Sequence, residues 1–304
     1  MDLRQLTALV AVSEAGSFSA AARALHTVQS NVSTHVARLE RELGVTLVDR
    51  ASGTLTEEGW AVVSRARHIQ GELEALTADV AALRDELSGT VRLGCIGTSA
   101  RWLVPLVLEK LTHEHPLLHV IVVDATTTSL VPRLLADELD LAVVNLPITH
   151  ADVVADHLFD EDRILIVPDS HPLAHVERVS LADLADHELL LEPQGTAFRD
   201  ELDRQAAAAG IVLRAKADVD GLRLIATLAF QGFGAAIVPA TAAPGWLEGS
   251  WRRVPVDGLA RRSVGLARRQ RGLLSAPARA LHAAVVAVVA SDGEEFEGVH
   301  FVTT

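Results

Sequence analysis

HTVQSNVSTHVARLERELG, His26 to Gly44, carries Val32, Val36, Leu39 and Leu43 at steps of four, three and four, the period of one helix face. The opposite face holds Ser30, Thr34, Arg38 and Arg41, none of them a typical core residue. Such a helix is either a solvated surface element or one that pushes its polar side into a DNA groove. Its neighbours must decide.

Upstream, Leu3, Leu6, Leu9, Val10 and Ser13 predict a first helix that ends near Ala15-Gly16, where glycine is a natural stop. Ser17 or Ser19 can cap a short second helix, AAARALH, whose alanines allow close packing. Two helices, a tight connection and a third helix opening with hydroxyls and amides form a helix-turn-helix. Its recognition helix enters the major groove with its first turns facing base edges. Gln29, Ser30, Asn31 and Thr34 can hydrogen-bond bases or phosphates, and Gln and Asn can pair bidentately with adenine. Arg38 and Arg41, one to two turns on, suit backbone phosphate, and the helix N-terminus itself favours an anion. In TLVDRASGTLTEEG two β-prone runs flank Ala51-Ser52-Gly53, predicting a hairpin wing that carries Arg50 to the phosphate backbone or minor groove. Thr56 then caps a new helix with Glu57 and Glu58 in its first turn, where the macrodipole favours acids.

Along that helix Val62, Ala66, Ile69, Leu73, Leu76, Val80, Leu83 and Leu87 alternate steps of four and three, an unbroken heptad seam. A helix of about 30 residues extends ~45 Å. Gly71 lies off the seam and costs the helix ~1 kcal/mol. A lone helix folded back on its own domain is one reading. A stripe confined to the seam positions fits self-association better, which holds two wing-bearing heads at the spacing of adjacent half-sites.

Composition narrows the function classes. The 304 residues allow two or three domains, and 49% hydrophobic content supplies real cores. No run of eighteen apolar residues occurs, and MDLRQLTALVAVSEAG lacks the basic start and cleavage site of a signal peptide. One cysteine, Cys95, excludes an internal disulfide and fits a cytoplasmic protein; in VRLGCIG it reads as a packed strand residue. The net charge of −13 argues against broad nucleic-acid binding. In residues 1–56, Arg4, Arg23, Arg38, Arg41 and Arg50 are matched by Asp2, Glu14, Glu40, Glu42 and Asp49. DNA contact must therefore come from a few arginines, helix N-termini and hydroxyls, doubled by dimerisation.

After Ser88-Gly89 the pattern changes to short buried strands alternating with helices. TVRLGCIG, LHVIVVDA and LDLAVVN read as strands, with helices near Ser99–His113 and Leu130–Glu138, an order that implies a parallel sheet. From RILIVPD a similar pattern recurs, with HELLLEP, KADVD and AAIVP as strands and helices near Phe198–Ala209 and Leu222–Gln231. RRSVGLARR is a last strand, Pro277–Val289 a last helix, and SDGEEFEGVHFVTT a loosely ordered tail. Ligands of parallel sheets bind outside the C-terminal strand ends. The loops there bring Thr98, Ser99, Arg101, Thr127, Thr128, Asn145, Thr196, Phe198 and Arg199. Hydroxyls at helix starts suit a small carboxylate or other anion, although each one alone is also an ordinary cap.

AAARALHTVQSNVSTHVARLERELGVTLVDR, followed by LTEEG and a long helix, resembles the N-terminal domain of LysR-type transcriptional regulators. The matching residues are the second-helix alanines, Gln29, Ser33, Leu39-Glu40, Leu43-Gly44, Leu47, Arg50, Leu55-Thr56 and Gly59. Val28, Thr34 and Val48 depart from the family pattern. SGTVRLG, LLADELDLAVV, HPLA and GFGAAIVP resemble the effector-binding domain of the same family. The resemblance implies an α+β multidomain chain. A winged helix-turn-helix spans 1–56 and a coiled-coil linker helix 57–88. A two-lobed α/β effector-binding domain with the periplasmic-binding-protein fold spans 89–291, and a tail 292–304. Lobe I takes about 89–160 and 266–291, and lobe II about 161–265. Promoter DNA is then contacted by Gln29, Ser30, Asn31, Ser33, Thr34, Arg38 and Arg50. Family effectors bind between the lobes, near Thr98, Ser99, Thr127 and Thr196, and family members form tetramers built from dimers.

The rival reading is a solute-binding or enzymatic α/β protein with a helical appendage. His113-Glu114-His115 and His171 with His175 lack a further metal ligand at a readable spacing. GFGAAI lies between a helix and a strand, the reverse of a phosphate-cradling loop, and neither GxSxG nor a Walker-type run occurs. The sequence thus calls for no metal and no cofactor, and offers no catalytic set.

Overall fold

The computed structural model describes all residues except 51, 84–86, 293–295 and 302–304. The N-terminal domain consists of α1 (Leu3–Ala15), α2 (Phe18–Ala24) and α3 (Gln29–Leu43). Asp2 opens α1 with a capping box: its carboxylate accepts from the Gln5 N–H, and the Gln5 side chain accepts from the Asp2 N–H. Gly16 closes the helix in the left-handed conformation, φ 69°. Ser17 caps α2 by accepting from the Ala20 N–H, so that helix begins at Phe18, before the alanine run. Val32, Val36 and Leu39 of α3 bury against Leu6, Leu9 and Val12 of α1. The fourth residue of the expected stripe, Leu43, is 40% exposed at the helix end.

The wing is reduced. A single antiparallel bridge joins Val48 to Leu55, in place of two strands. Asp49 N–H donates to the Thr54 carbonyl across the turn, and Gly53 adopts φ 74°. Ala51, in the expected turn, lies outside the described residues.

α4 (Glu57–Ala82) is 26 residues long and capped by Thr56. It is shorter than its seam predicts: Leu83 is a turn residue, and Leu87 precedes the first strand rather than extending the helix. One face packs on the C-terminal half. Ala78 is buried, and Asp79 accepts from the Ala276 N–H at 2.7 Å. Arg67 donates to Glu138 at 2.9 Å, and His68 lies 2.9 Å from Asp137. On the other side Ile69, Leu73, Leu76, Val80 and Leu83 stand exposed, Leu76 at 61%.

Two six-stranded sheets follow. Their elements in chain order are β1 (Gly89–Cys95), α5 (Gly97–Glu114), β2 (Leu118–Asp124), α6 (Thr127–Leu135), β3 (Leu141–Asn145) and β4 (Val153–Glu161). Then come β5 (Arg163–Pro168), β6 (Val179–Ser180), α7 (Leu181–Leu184), β7 (Glu188–Leu191), α8 (Ala197–Ala208) and β8 (Arg214–Asp218). The chain ends with α9 (Leu222–Phe230), β9 (Ala235–Pro239), β10 (Trp251–Asp257), β11 (Arg262–Arg269), α10 (Ala276–Asp292) and β12 (Val299–Phe301). The first sheet runs β12-β4-β11-β3-β1-β2 and the second β6-β10-β5-β9-β7-β8. β1 pairs in parallel with β2 and β3, as the alternation predicts, but β11 joins β3 and β4 antiparallel, so the sheets are mixed. In the second lobe β5 shows period-two burial: Leu165 and Val167 enter one core, Ile164 and Ile166 the other.

The tail is not loose where it is described. β12 pairs with β4, and Phe296 and Phe301 set their rings 4.7 Å from Trp102 and 6.0 Å from Phe159. The chain crosses between the lobes at 161–163 and 257–262. Between them lies a buried network. Arg262 donates to Glu161 at 2.6 Å and to the Thr98 hydroxyl at 2.7 Å, while Glu161 accepts from the Thr241 hydroxyl at 2.7 Å. The Glu161 side chain is 0% exposed, so this pairing offsets a large desolvation cost. Among the described residues no helix is long and apolar enough to cross a membrane.

Candidate nucleic-acid interface and inter-lobe cleft

Gln29, Ser30, Asn31, Thr34 and Arg38 are all exposed on α3, with Ser33 partly buried beside them. Val28, at the N-cap position, makes no side-chain cap, so the first N–H groups of α3 have no capping oxygen from it. The polar residues are already oriented by neighbours. Ser19 of α2 donates to the Gln29 amide oxygen at 3.0 Å. Asn31 donates to the Thr27 hydroxyl at 3.0 Å, and Thr34 to the Ser30 carbonyl at 2.7 Å.

Arg50 is tied to this helix rather than extended from a wing. It donates to the Ser33 hydroxyl at 3.1 Å and to Glu40 at 3.3 Å, with its guanidinium 5.2 Å from the Phe18 ring centroid. The other oxygen of Glu40 accepts from the Leu47 and Val48 N–H groups at 2.9 and 3.2 Å. One carboxylate therefore fixes both the segment that enters the turn and the arginine at its start. The Arg50 side chain stays half exposed.

The C-terminal candidates converge only in part. Thr98 and Ser99 open α5 and are both buried. Thr98 is engaged by Arg262, whereas the Ser99 hydroxyl has no hydrogen-bond partner among the described residues. Thr127 accepts from the Asn145 N–H at 2.9 Å, which joins the starts of two loops, and the Asn145 amide oxygen is buried without a partner among the described residues. A buried unpaired hydroxyl and amide oxygen are what a bound ligand's donors would satisfy. Arg101 spans the lobes, 3.4 Å from the Ala242 carbonyl and 5.5 Å from the Trp246 ring centroid. Thr128 shares a 3.0 Å contact with Thr126, and Thr196 donates to the Pro193 carbonyl at 2.9 Å, both local turn bonds.

Phe198 faces inward. It packs in the lobe II core with Leu165 and Leu202, its ring centroid 5.2 Å from the buried Arg163 guanidinium, because the first turn of α8 points that side inward. Arg199 likewise turns into its own lobe, onto Asp203, the Glu192 carbonyl and Asp218. Glu192 lies half-buried beside that turn, where burial raises its carboxyl above the usual value.

Sequence reasoning missed the charged pair that joins the lobes: Asp124, at the end of β2, meets Arg223 of α9. They lie over the first residue of α5, where a Cβ on Gly97 would come within 2.9 Å of Arg223 Nε and 3.0 Å of Asp124 Oδ1. An acid at a C-terminal strand end was the available signal for Asp124. Nothing in RRSVGLARR marks Arg262 as buried, nor in RILIVP does anything mark Arg163. Among the described residues no group of three His, Cys, Asp or Glu is arranged to hold a metal ion.

The helix-turn-helix matches a model described as bacterial regulatory helix-turn-helix protein, lysR family, over residues 3–60. The two lobes match the LysR substrate binding domain over residues 84–290. Among curated relatives, a probable hydrogen peroxide-inducible genes activator of Mycobacterium leprae is 36% identical over 79% of this chain and 78% of its own. The DNA-binding transcriptional dual regulator OxyR of Escherichia coli is 31% identical over 80% and 81%. A full-length OxyR variant from Pseudomonas aeruginosa superposes with a TM-score of 0.76 at 25% identity, over 96% of this chain and 95% of that one. CbnR in complex with its target DNA gives 0.70 at 27% identity, over 95% and 100%. With both of its halves matched in order along one chain, this protein belongs to the LysR family of bacterial helix-turn-helix regulators.

Proposed function

We propose that the chain is a one-component regulator, with 1–56 as DNA reader, 57–88 as dimerisation linker and 89–291 as sensor. A small molecule held between the lobes shifts the lobe arrangement, and α4 transmits that shift to the heads and changes promoter binding. The observation that carries this reading is α4 itself. One face is fixed to the sensor by Arg67–Glu138 and Asp79–Ala276, while the opposite apolar row is free for a second copy. Gln29, Ser30, Asn31, Ser33 and Thr34 read bases, Arg38 holds phosphate, and Arg50 positions α3 and lends its exposed edge to the backbone. Two dimers associate as a tetramer, and the protein works in the cytoplasm without catalysing a reaction.

Effector contacts centre on Ser99 and Asn145, whose side-chain oxygens have no partner among the described residues, with Thr98, Thr127, Thr128, Arg101, Thr196 and Phe198 around them. The peroxide response in the relatives' names does not fit a thiol mechanism here. Cys95 is the one cysteine in the sequence, is fully buried in β1, and burial pushes its thiol far above the usual value. The effector is accordingly a reversibly bound molecule. The test is a gel-shift titration on the DNA flanking the protein's own gene, with a panel of small carboxylates, aromatic acids and amines. One compound should alter binding, and Ser99→Val should abolish its effect; a compound that acts equally on Ser99→Val contradicts the site.

A further inference from the structure

A cavity lies at the joint between α4 and lobe I, away from Ser99 and Asn145. Its volume is about 620 Å³, within the range of small-molecule sites. Gly71, Ala75, Ala78 and Pro277 give it an apolar floor, and five arginines approach its rim. Three of these are neutralised: Arg92 lies 3.7 Å from Glu74, Arg279 lies 3.3 Å from Asp79, and Arg269 pairs with Asp137. Arg268 and Arg271 have no ion pair among the described residues. Of the remaining acids, Asp140 accepts from the Arg92 N–H at 2.7 Å, and Glu72 faces Arg269.

Gly71 is the second observation. It sits in the middle of α4, where glycine destabilises a helix relative to alanine, and a Cβ there would meet nothing within 4 Å. Neither backbone conformation nor packing requires glycine at this position. What its missing side chain leaves is space, because Gly71 also lines a neighbouring cavity of about 480 Å³ between α1, α4 and lobe I. Glu74, Arg92 and Asp137 border both cavities, so the two meet where head, linker and sensor join.

We propose that this joint is a second ligand site that takes an amphiphilic anion, an apolar body with a carboxylate or sulfonate. The apolar body lies on the Gly71–Ala75–Ala78 floor, and the anion bridges Arg268 and Arg271. A ligand there wedges the linker against lobe I, which makes it a second input to the head angle, independent of the cleft.

The probe is 8-anilinonaphthalene-1-sulfonate, titrated by fluorescence into the full-length protein, with circular dichroism melting and gel filtration of each variant. Saturable binding is expected. Gly71→Leu should weaken it about tenfold by filling the floor. Arg268→Gln with Arg271→Gln should weaken it by about tenfold through the lost charge. Gly71→Ala should keep the affinity and raise the melting temperature, and Ser99→Val in the cleft should leave the dye unaffected. The surface arginine pair keeps the test decisive if Gly71→Leu does not fold. Absence of saturable binding, unchanged affinity in folded Gly71→Leu or in the arginine double variant, or loss of dye in Ser99→Val would each overturn the proposal.

Discussion

Asp124 and Arg223 form an ion pair that ties the end of β2 in one lobe to α9 in the other, directly above Gly97. The side chains are 34% and 55% exposed, so the pair contributes only about 0–1 kcal/mol. A tether of that size can hold one lobe arrangement and still yield to a ligand. Asp124→Arg or Arg223→Asp alone should widen the inter-lobe distance, and the two together should restore it. Spin labels on cysteines introduced at the exposed Leu117 and Val212 would report it, since buried Cys95 stays unlabelled. Identical distance distributions in all four proteins would show that the pair does not set the arrangement.

The exposed row on α4 predicts a self-association surface. Leu76→Glu, at the centre of the seam, should lower the oligomer from tetramer to no more than dimer by sedimentation while leaving the melting of the sensor lobes unchanged. An undiminished tetramer in Leu76→Glu would place the dimer interface elsewhere.

The Glu40–Arg50–Ser33 arrangement separates positioning from reading. Glu40→Ala removes the acceptor for two backbone N–H groups and a guanidinium, and should destabilise the head by about 1–3 kcal/mol. Arg50→Ala should weaken DNA binding about equally across sequences, whereas Gln29→Ala or Ser30→Ala should change sequence preference. Because arginines and acids balance in the first 56 residues, the salt dependence of affinity should be shallow; a log–log slope near −10 would contradict the charge argument.

The buried network at the crossover makes a larger prediction. Removing one member of a buried pair leaves an uncompensated charge, so Glu161→Ala should cost about 3–5 kcal/mol. A loss below about 1 kcal/mol by urea unfolding would mean that water reaches Arg262, as it does at exposed pairs.

Cys95 predicts insensitivity. Native protein should resist thiol reagents until unfolded, and hydrogen peroxide should not change its DNA affinity. A peroxide response abolished by Cys95→Ser would contradict the buried-thiol argument.

Much of this was legible because periodicity reports burial directly. Val32, Val36 and Leu39 fixed the inner face of α3, and the seam from Ile69 to Val80 marked a face that the chain itself does not cover. The failures have local causes. The acids of SDGEEFEG obscured Phe296 and Phe301, which anchor the tail on Trp102 and Phe159. A proline inside WRRVPVD hid β10, although it pairs with β5 over five residues. Thr196 and Phe198 are two positions apart, and a helix start turns such neighbours to different sides, one to the loop and one to the core. A long-range pair such as Asp124–Arg223 leaves no pattern that joins its partners: Asp124 is marked only by its place at the end of β2, and Arg223 is a surface charge until the lobes meet.

Whether α3 reads sequence is decided by a fluorescence-anisotropy titration of full-length protein against the DNA flanking its own gene and a scrambled duplex of equal length. Saturable binding that prefers the native sequence is expected, with the preference lost in Gln29→Ala/Ser30→Ala while the fold and oligomer persist. Equal affinity for both duplexes, or a preference that survives the double substitution, would contradict the assignment of α3 as the reading helix.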